Sequence, residues 1–121
     1  MAEYFFDTYA FFEIFRENEN YQDYNFSGMI TTKLNLMELH YGLLNTHGRE
    51  TAEKLFYRFL GNCAEINENT IIEANMFRKE NRRLKMSYID CLGYTIAKAR
   101  NVKFLTGDKA FKGFENVEFV K

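Results

Sequence analysis

The chain has 121 residues, enough for one domain whose folding buries roughly two-thirds of its surface. Apolar residues make up 46% and charged residues 27%, with 13 Phe, 8 Tyr, no Trp and no Pro, which excludes wholesale disorder and Pro-rich linkers. The net charge of −1 hides an asymmetry: residues 1–75 hold 5 Lys/Arg against 12 Asp/Glu, and residues 76–113 hold 10 against 3. That is not the charge of a general DNA coat, and it predicts one acidic and one basic surface.

The elements follow in order. Tyr4-Phe5-Phe6 is an aromatic run with strand propensity, stopped by Asp7-Thr8, a pair suited to cap a helix. A helix is expected from Tyr9 to about Arg16, a polar turn over Asn18–Asn25, and a second short strand at Met29–Thr31. Lys33–Asn45 reads as a helix with two apolar faces: Leu34, Met37, Tyr41 and Leu44 on one, Leu36, Leu39 and Leu43 on the other. Such a helix is sandwiched, within the core or between the core and a partner. Further helices are expected at Arg49–Asn62, at Asn69–Arg83 with Asn69 or Thr70 at its start, and at Ser87–Arg100 with a core stripe of Ile89, Leu92, Ile96 and Ala99. Short strands are expected at Cys63–Ile66, Val102–Leu105 and Val117–Val120, with a turn at Gly107-Asp108.

Alternating short strands and helices predict an α/β sandwich around a mostly parallel sheet, formed by residues 1–121 as a single domain. Cys63 and Cys91 make no CxxC or metal spacing, so two buried free thiols in a reducing compartment are expected. The N-terminus lacks the basic stretch of a signal peptide, and no apolar run approaches the ~20 residues of a membrane span. A soluble, cytoplasmic protein without membrane association is expected.

In parallel α/β sheets, sites lie outside the carboxyl ends of the strands. Asp7 and Asp108 fall at two such ends, and Asp90 lies in the first turn of a late helix. Each also has a local reading. Asp7 suits a helix cap, Ser87-x-x-Asp90 resembles a capping box, and Asp108 suits the cap of a turn at Lys109–Phe111. Glu38 sits on its helix beside Leu34 and Tyr41. Gathered together, several carboxylates repel one another unless a cation is present, and a hard divalent ion such as Mg²⁺ or Mn²⁺ takes oxygen ligands.

Four segments carry a resemblance. They are Tyr4-Phe5-Phe6-Asp7-Thr8, Leu36-Met37-Glu38-Leu39-His40-Tyr41-Gly42-Leu43, Ser87-Tyr88-Ile89-Asp90-Cys91-Leu92 with Ala97, and Phe104-Leu105-Thr106-Gly107-Asp108. In order and interval they resemble the PIN-domain family, specifically VapC-like toxin ribonucleases of type II toxin–antitoxin pairs, over essentially the whole chain. Leu92, where family members usually carry a small residue, and Cys91, where Ala is common, are departures that leave the acids intact. The resemblance implies a PIN-like three-layer sandwich and a Mg²⁺- or Mn²⁺-dependent endoribonuclease that hydrolyses RNA phosphodiester bonds. It implies an acidic tetrad of Asp7, Glu38, Asp90 and Asp108. Asp7, Asp90 and Asp108 would hold metal, Glu38 would complete the shell or orient water, Thr106 would supply a nearby hydroxyl, and Thr8 is a weaker hydroxyl candidate. It also implies a homodimer and a small antitoxin whose apolar, basic C-terminal segment lies across a groove.

Arg78, Lys79, Arg82, Arg83 and Lys85 fall within eight residues and suit either a solvated helix end or an RNA-binding surface leading towards Asp90. His40, on the apolar-rich helix, and His47, in an expected loop, are read as packing or surface residues rather than a zinc pair. The two-sided helix and a Phe11, Phe12, Phe15 cluster offer apolar surface for a partner, or else a thick aromatic core. Dinucleotide binding would want G-x-G-x-x-G where Asp7-Thr8-Tyr9 stands, and an aspartyl phosphotransferase would want an acid at Tyr9. A PIN-domain RNA-processing nuclease outside a toxin system and a catalytically inactive PIN-like interaction module are the rival readings. The presence of all four acids argues against the second.

Overall fold

Strands buried on both faces read as continuous apolar runs, as Tyr4-Phe5-Phe6 and Phe104-Leu105 do, while the edge strand Val117-Glu118-Phe119 is only half-buried. In the computed structural model, which describes residues 4–121, the strands are β1 (Tyr4–Phe6), β2 (Lys103–Thr106) and β3 (Val117–Phe119). The sheet order is β1-β2-β3, all parallel, with Phe5 beside Phe104 and Leu105 beside Glu118. Met1–Glu3, part of the segment read as lacking a signal peptide, lie outside the described residues.

Strand side chains alternate in direction, and here the alternation splits the core in two. Phe6 and Leu105 face one way, onto α1 (Thr8–Phe15), α2 (Lys33–His47) and α3 (Arg49–Phe59), where Phe11, Leu36, Leu39, Leu43 and Phe59 are buried. Phe5 and Phe104 face the other way, onto α4 (Glu68–Glu80) and α5 (Tyr88–Ala99), where Ala74, Cys91, Tyr94 and Ala97 are buried. Helices, sheet and helices make the three layers. Gly93 allows the close approach of α5: a Cβ there would lie 2.8 Å from Phe5 Cε1 and 3.0 Å from Phe104 Cε1.

Several local expectations change. Met29–Thr31 is not a strand; Ile30 and Thr31 make single parallel bridges, to Phe5 and Cys63, because Thr32 caps α2 at once. In Cys63–Ile66 only Cys63 pairs, since Asn67 already caps α4 by accepting from Thr70 N at 2.9 Å. That cap also starts α4 before Asn69, and α4 ends at Glu80, followed by a 3₁₀ turn at Arg82–Leu84 and a left-handed Lys85 (φ 57°). The buried side of α5 is Cys91, Tyr94 and Ala97 with Gly93 and Ile96; Ile89 and Leu92 lie at its border and Ala99 is exposed. Both cysteines are free, but Cys63 is only half-buried. His47 is the last residue of α2 rather than part of a loop.

The aromatic surplus goes mostly inwards. Phe11 is fully buried against Phe6, Phe26 and Phe59, while Phe12 and Phe15 pack at the edge of that cluster. Of the two faces of α2, Leu36, Leu39 and Leu43 enter the core, and Met37, Tyr41 and Leu44 remain exposed. Among the described residues, no helix is long and apolar enough to cross a membrane.

Candidate active site

Each candidate acid is fixed by the local structure that its own residue type helps to make. Asp7 leaves β1 and caps α1: Oδ1 accepts from Thr8 N at 2.9 Å, and Oδ2 accepts from the Thr106 hydroxyl at 2.7 Å. The carboxylate is 3% exposed. Thr106 ends β2, and its hydroxyl oxygen also accepts from Asp108 N at 3.1 Å, so one side chain ties the two strand ends together. Asp108 in turn caps a 3₁₀ turn at Lys109–Phe111, Oδ1 accepting from Ala110 N at 3.0 Å. A Cβ at Gly107 would collide with the Tyr9 ring and Val120 O, so only glycine fits between Thr106 and Asp108.

Asp90 is the third residue of α5. It forms a reciprocal capping box with Ser87: Asp90 N donates to Ser87 Oγ and Ser87 N to Asp90 Oδ2, both at 3.0 Å. Because α5 runs back against β2, its N-terminus lies over the carboxyl end of the sheet. Glu38 sits half-buried on α2, and its Oε1 accepts from the Thr8 hydroxyl at 2.6 Å.

Behind Glu38 runs a chain of hydrogen bonds with one direction. Thr32 donates to Asn35 Oδ1 at 2.6 Å, Asn35 Nδ2 donates to Thr8 Oγ1 at 3.0 Å, and Thr8 spends its proton on Glu38. Asn35 is fully buried and was not singled out from the sequence. The signal was there: a lone amide on the side of α2 that carries Leu36 and Leu39, three residues before Glu38. Thr8, a weaker candidate, is the junction that holds Glu38.

The four acids feel one another. Burial, then the charge of Asp90 and more weakly that of Glu38, push the Asp7 carboxyl from 3.8 up to about 8, against the bonds from Thr106 and Thr8. Burial raises Glu38, with Asp90 adding to it and the Thr8 bond opposing. Burial also raises Asp90, with Asp108 adding and the Ser87 bonds opposing. Repulsion therefore links Asp7, Glu38, Asp90 and Asp108 in a single set.

Among the described residues, no three His, Cys, Asp or Glu side chains close into a ready-made metal cage. The donors nonetheless suit a hard divalent ion: they are carboxylate and hydroxyl oxygens, one of them buried where its own charge is costly. Mg²⁺ keeps several waters and takes only one or two carboxylates directly, so an open set of acids fits it. His40 stands edge-on to Phe56 with centroids 5.9 Å apart, and His47 is exposed beside Thr46.

The basic stretch is split. Lys79, Arg82, Arg83 and Lys85 are exposed. Arg78 is half-buried, its Nε donating to Met86 O at 3.0 Å and its guanidinium 4.1 Å above the Tyr88 ring.

The model of the PIN domain family matches residues 4–117 of the sequence, a span that contains all four acids. The chain belongs to the PIN domain family. PIN domains are nuclease-type hydrolases that generally use divalent metal ions. The PIN fold seen here is also that of a toxin–antitoxin complex from Klebsiella pneumoniae, with TM-score 0.74, 19% identity and 94% of each chain covered. It matches DNA-bound VapBC from Salmonella typhimurium with TM-score 0.72 and 20% identity, over 98% of this chain and 97% of that one. VapBC2 from Rickettsia felis, bound to a promoter DNA fragment, gives 0.70 and 19% identity over the full length of both chains. At these identities the likeness is one of fold. No curated protein sequence gives a significant match.

Proposed function

We propose that this PIN domain is a metal-dependent endoribonuclease acting as the toxin of a type II toxin–antitoxin pair. The observation that carries the nuclease reading is the buried Asp7 carboxylate, joined through the Thr106 hydroxyl to the Asp108 turn and through Thr8 to Glu38, with the charge of Asp90 raising it further, a repulsion that a divalent cation would relieve. Asp7, Asp90 and Asp108 would hold Mg²⁺ or Mn²⁺, directly or through water. When bound, the ion supplies charge neutralisation at the scissile phosphate and lowers the pKa of water. Glu38, held as an acceptor by the Thr8 proton, orients the attacking water and takes up its proton. Thr106 keeps Asp7 and the start of the Asp108 turn in register. The exposed Lys79, Arg82, Arg83 and Lys85 attract RNA phosphates.

The toxin reading is supported by the solved complexes that share the fold, in which toxins are held with antitoxins. A groove of about 420 Å³ between α2 and α3, lined by Leu34, Met37, His40, Phe56 and Tyr57, suits an apolar antitoxin segment. A Lys or Arg on that segment would pair with the acids. The exposed Ile71, Ile72 and Met76 along α4 add a second apolar surface for a homodimer.

The deciding experiment incubates total cellular RNA with the protein, with and without Mg²⁺ or Mn²⁺, and maps the new ends. Discrete cleavage that chelation and Asp7→Asn both abolish is expected; intact RNA under all conditions would refute the nuclease reading. Co-expression with the product of a neighbouring small gene should restore growth and block cleavage, and a product that neither binds nor inhibits would refute the toxin reading alone. Light scattering should give a dimer at micromolar concentration.

A further inference from the structure

We propose that Tyr88, braced by Arg78, is a stacking platform that takes one nucleobase of a single-stranded RNA beside the acid cluster. The inference rests on the ribonuclease reading and adds to it a residue that binds the base rather than the phosphate.

Tyr88 opens α5 and is 62% exposed, a large aromatic surface at a position where the helix needs no apolar side chain. It is not a loose ring. The Arg78 guanidinium lies 4.1 Å from its centroid, and Arg78 is itself anchored by the bond from Nε to Met86 O at 3.0 Å. The guanidinium covers one face of the ring, so the exposure belongs to the opposite face and the rim. Fixing the ring in advance removes most of the ordering cost that a flexible side chain would incur on binding. It also gives Arg78 a task distinct from that of its basic neighbours: Lys79, Arg82, Arg83 and Lys85 are exposed and able to follow phosphates, Arg82 with one donor on Lys79 O at 3.2 Å, whereas Arg78 is engaged with the ring.

The platform is close to the chemistry. Asp90 lies two residues along the same first turn, and its carboxylate folds back to Ser87 N, the residue before Tyr88. Side chains two apart on a helix point to different sides, so the ring stands across the first turn of α5 from the Asp90 carboxylate, on the side of Arg78; a strand whose phosphate lies at the acids and that crosses this turn would bring a neighbouring base to the ring. Every base has a π-face, so the stack accepts all four, with purines favoured by their larger area. A duplex already stacks its bases on one another and presents none to the ring, so single strands are selected.

The test uses the full-length chain carrying Asp90→Asn to prevent cleavage, with Mg²⁺ present, and short purine-containing RNA oligonucleotides read by fluorescence polarisation. A single abasic nucleotide is walked along the oligonucleotide. One position should weaken binding by roughly tenfold, the equivalent of ~1.4 kcal/mol. Tyr88→Leu should weaken the intact oligonucleotide by about the same factor and remove the abasic effect, while Tyr88→Phe keeps both. A merely structural role for Tyr88 would leave the abasic profile unchanged. Uniform binding along the abasic series, or equal binding by Tyr88→Leu and the parent, overturns the platform, and the first readout needs no substitution at Tyr88. If the unmodified protein cleaves RNA while the abasic series is flat, the platform fails and the nuclease reading stands. If the unmodified protein neither binds nor cleaves RNA, both fail.

Discussion

Replacing Asp7 by Asn should make the metal-free protein more stable at mildly alkaline pH. Burial and the neighbouring Asp90 raise the Asp7 carboxyl from 3.8 to about 8 in the folded chain, while unfolding returns it to its ordinary value. A raised folded value means that the native state holds the proton more tightly. The associated stability is fully present below about pH 4 and is lost progressively as pH rises to about 8. At about 1.4 kcal/mol per pH unit, that interval is on the order of 5 kcal/mol. Asn removes this loss at a modest cost. Its Oδ1 still accepts from Thr8 N, but its Nδ2 faces the Thr106 hydroxyl, which now donates at 2.7 Å and would have to turn, at ~1 kcal/mol. The net gain near pH 8 is a few kcal/mol, which for a chain of this length is on the order of 10 °C in Tm. Thermal melts in EDTA across the pH range measure it. The parent should lose Tm steadily with rising pH, while the variant keeps only the shallower slope from Glu38 and Asp90, which are also raised. Mg²⁺ or Mn²⁺ should restore the parent near pH 8 and do little for the variant. A parent whose Tm is flat across this range, or a variant less stable than the parent at its upper end, would refute the reasoning.

Asp90→Asn should cost at least ~100-fold in kcat and at most ~1 kcal/mol in stability, because Asn can still accept from Ser87 N but is a poor substitute for an anionic ligand; a variant that melts early yet cleaves normally per folded molecule would make Asp90 a cap alone. Asn35→Leu should cost ~2–4 kcal/mol in urea denaturation, since it strips partners from the buried Thr8 and Thr32 hydroxyls. It should also shift the pH profile of cleavage, because Thr8 no longer has a fixed proton for Glu38; an unchanged profile would separate Asn35 from the site. Gly93→Ala should cost ~1–3 kcal/mol by forcing α5 off Phe5 and Phe104, and should lower activity as well because Asp90 rides on α5. Full stability in that variant would show that the rings yield.

The layers were legible because both faces of the sheet are buried, so Tyr4-Phe5-Phe6 and Phe104-Leu105 stand out as apolar runs between helices of clear period. Order and caps were legible too, from Asp7-Thr8 and from Ser87-x-x-Asp90. What periodicity could not give was which stripe of α5 faces the sheet. Ile89, Leu92, Ile96 and Ala99 form a tidy apolar row, but a glycine at 93 lets the helix settle closer on the side of Cys91, Tyr94 and Ala97. Close approach is a tertiary fact that hydropathy does not encode. The single-residue bridges at Ile30 and Thr31 were hidden for a related reason: β propensity marks a residue able to pair, while the helix cap at Thr32 limits how long the pairing lasts. Asn35 was overlooked because one polar residue in a helix reads as surface until its partners are seen.

The capping and site readings of the acids were opposed in the sequence, and the geometry makes them compatible. A carboxylate has two oxygens and a cap uses one. Asp90 gives Oδ2 to Ser87 N, and Asp108 gives Oδ1 to Ala110 N, so Oδ1 of Asp90 and Oδ2 of Asp108 lie outside these caps. The caps also explain how the cluster is held together. Asp7 and Asp90 sit at the N-termini of α1 and α5, where the helix dipole favours negative charge. Backbone N–H groups and the Thr8 and Thr106 hydroxyls fix the carboxylates in place and offset part of their repulsion. The offset is incomplete, since Asp7 is still raised to about 8, and the charges that push on Asp7, Glu38 and Asp90 are carboxylates. The fold thus holds the anions in place by local hydrogen bonds and leaves unmet a demand for positive charge. On the proposed ribonuclease reading a divalent ion would meet that demand during catalysis, and the basic side chain of an antitoxin would meet it during inhibition, so metal and inhibitor should compete for the same acids. Mn²⁺ titrated into the protein alone and into its inhibited complex measures that competition: the apparent affinity should fall in the complex, and equal affinity in both would place the inhibitor's cation elsewhere.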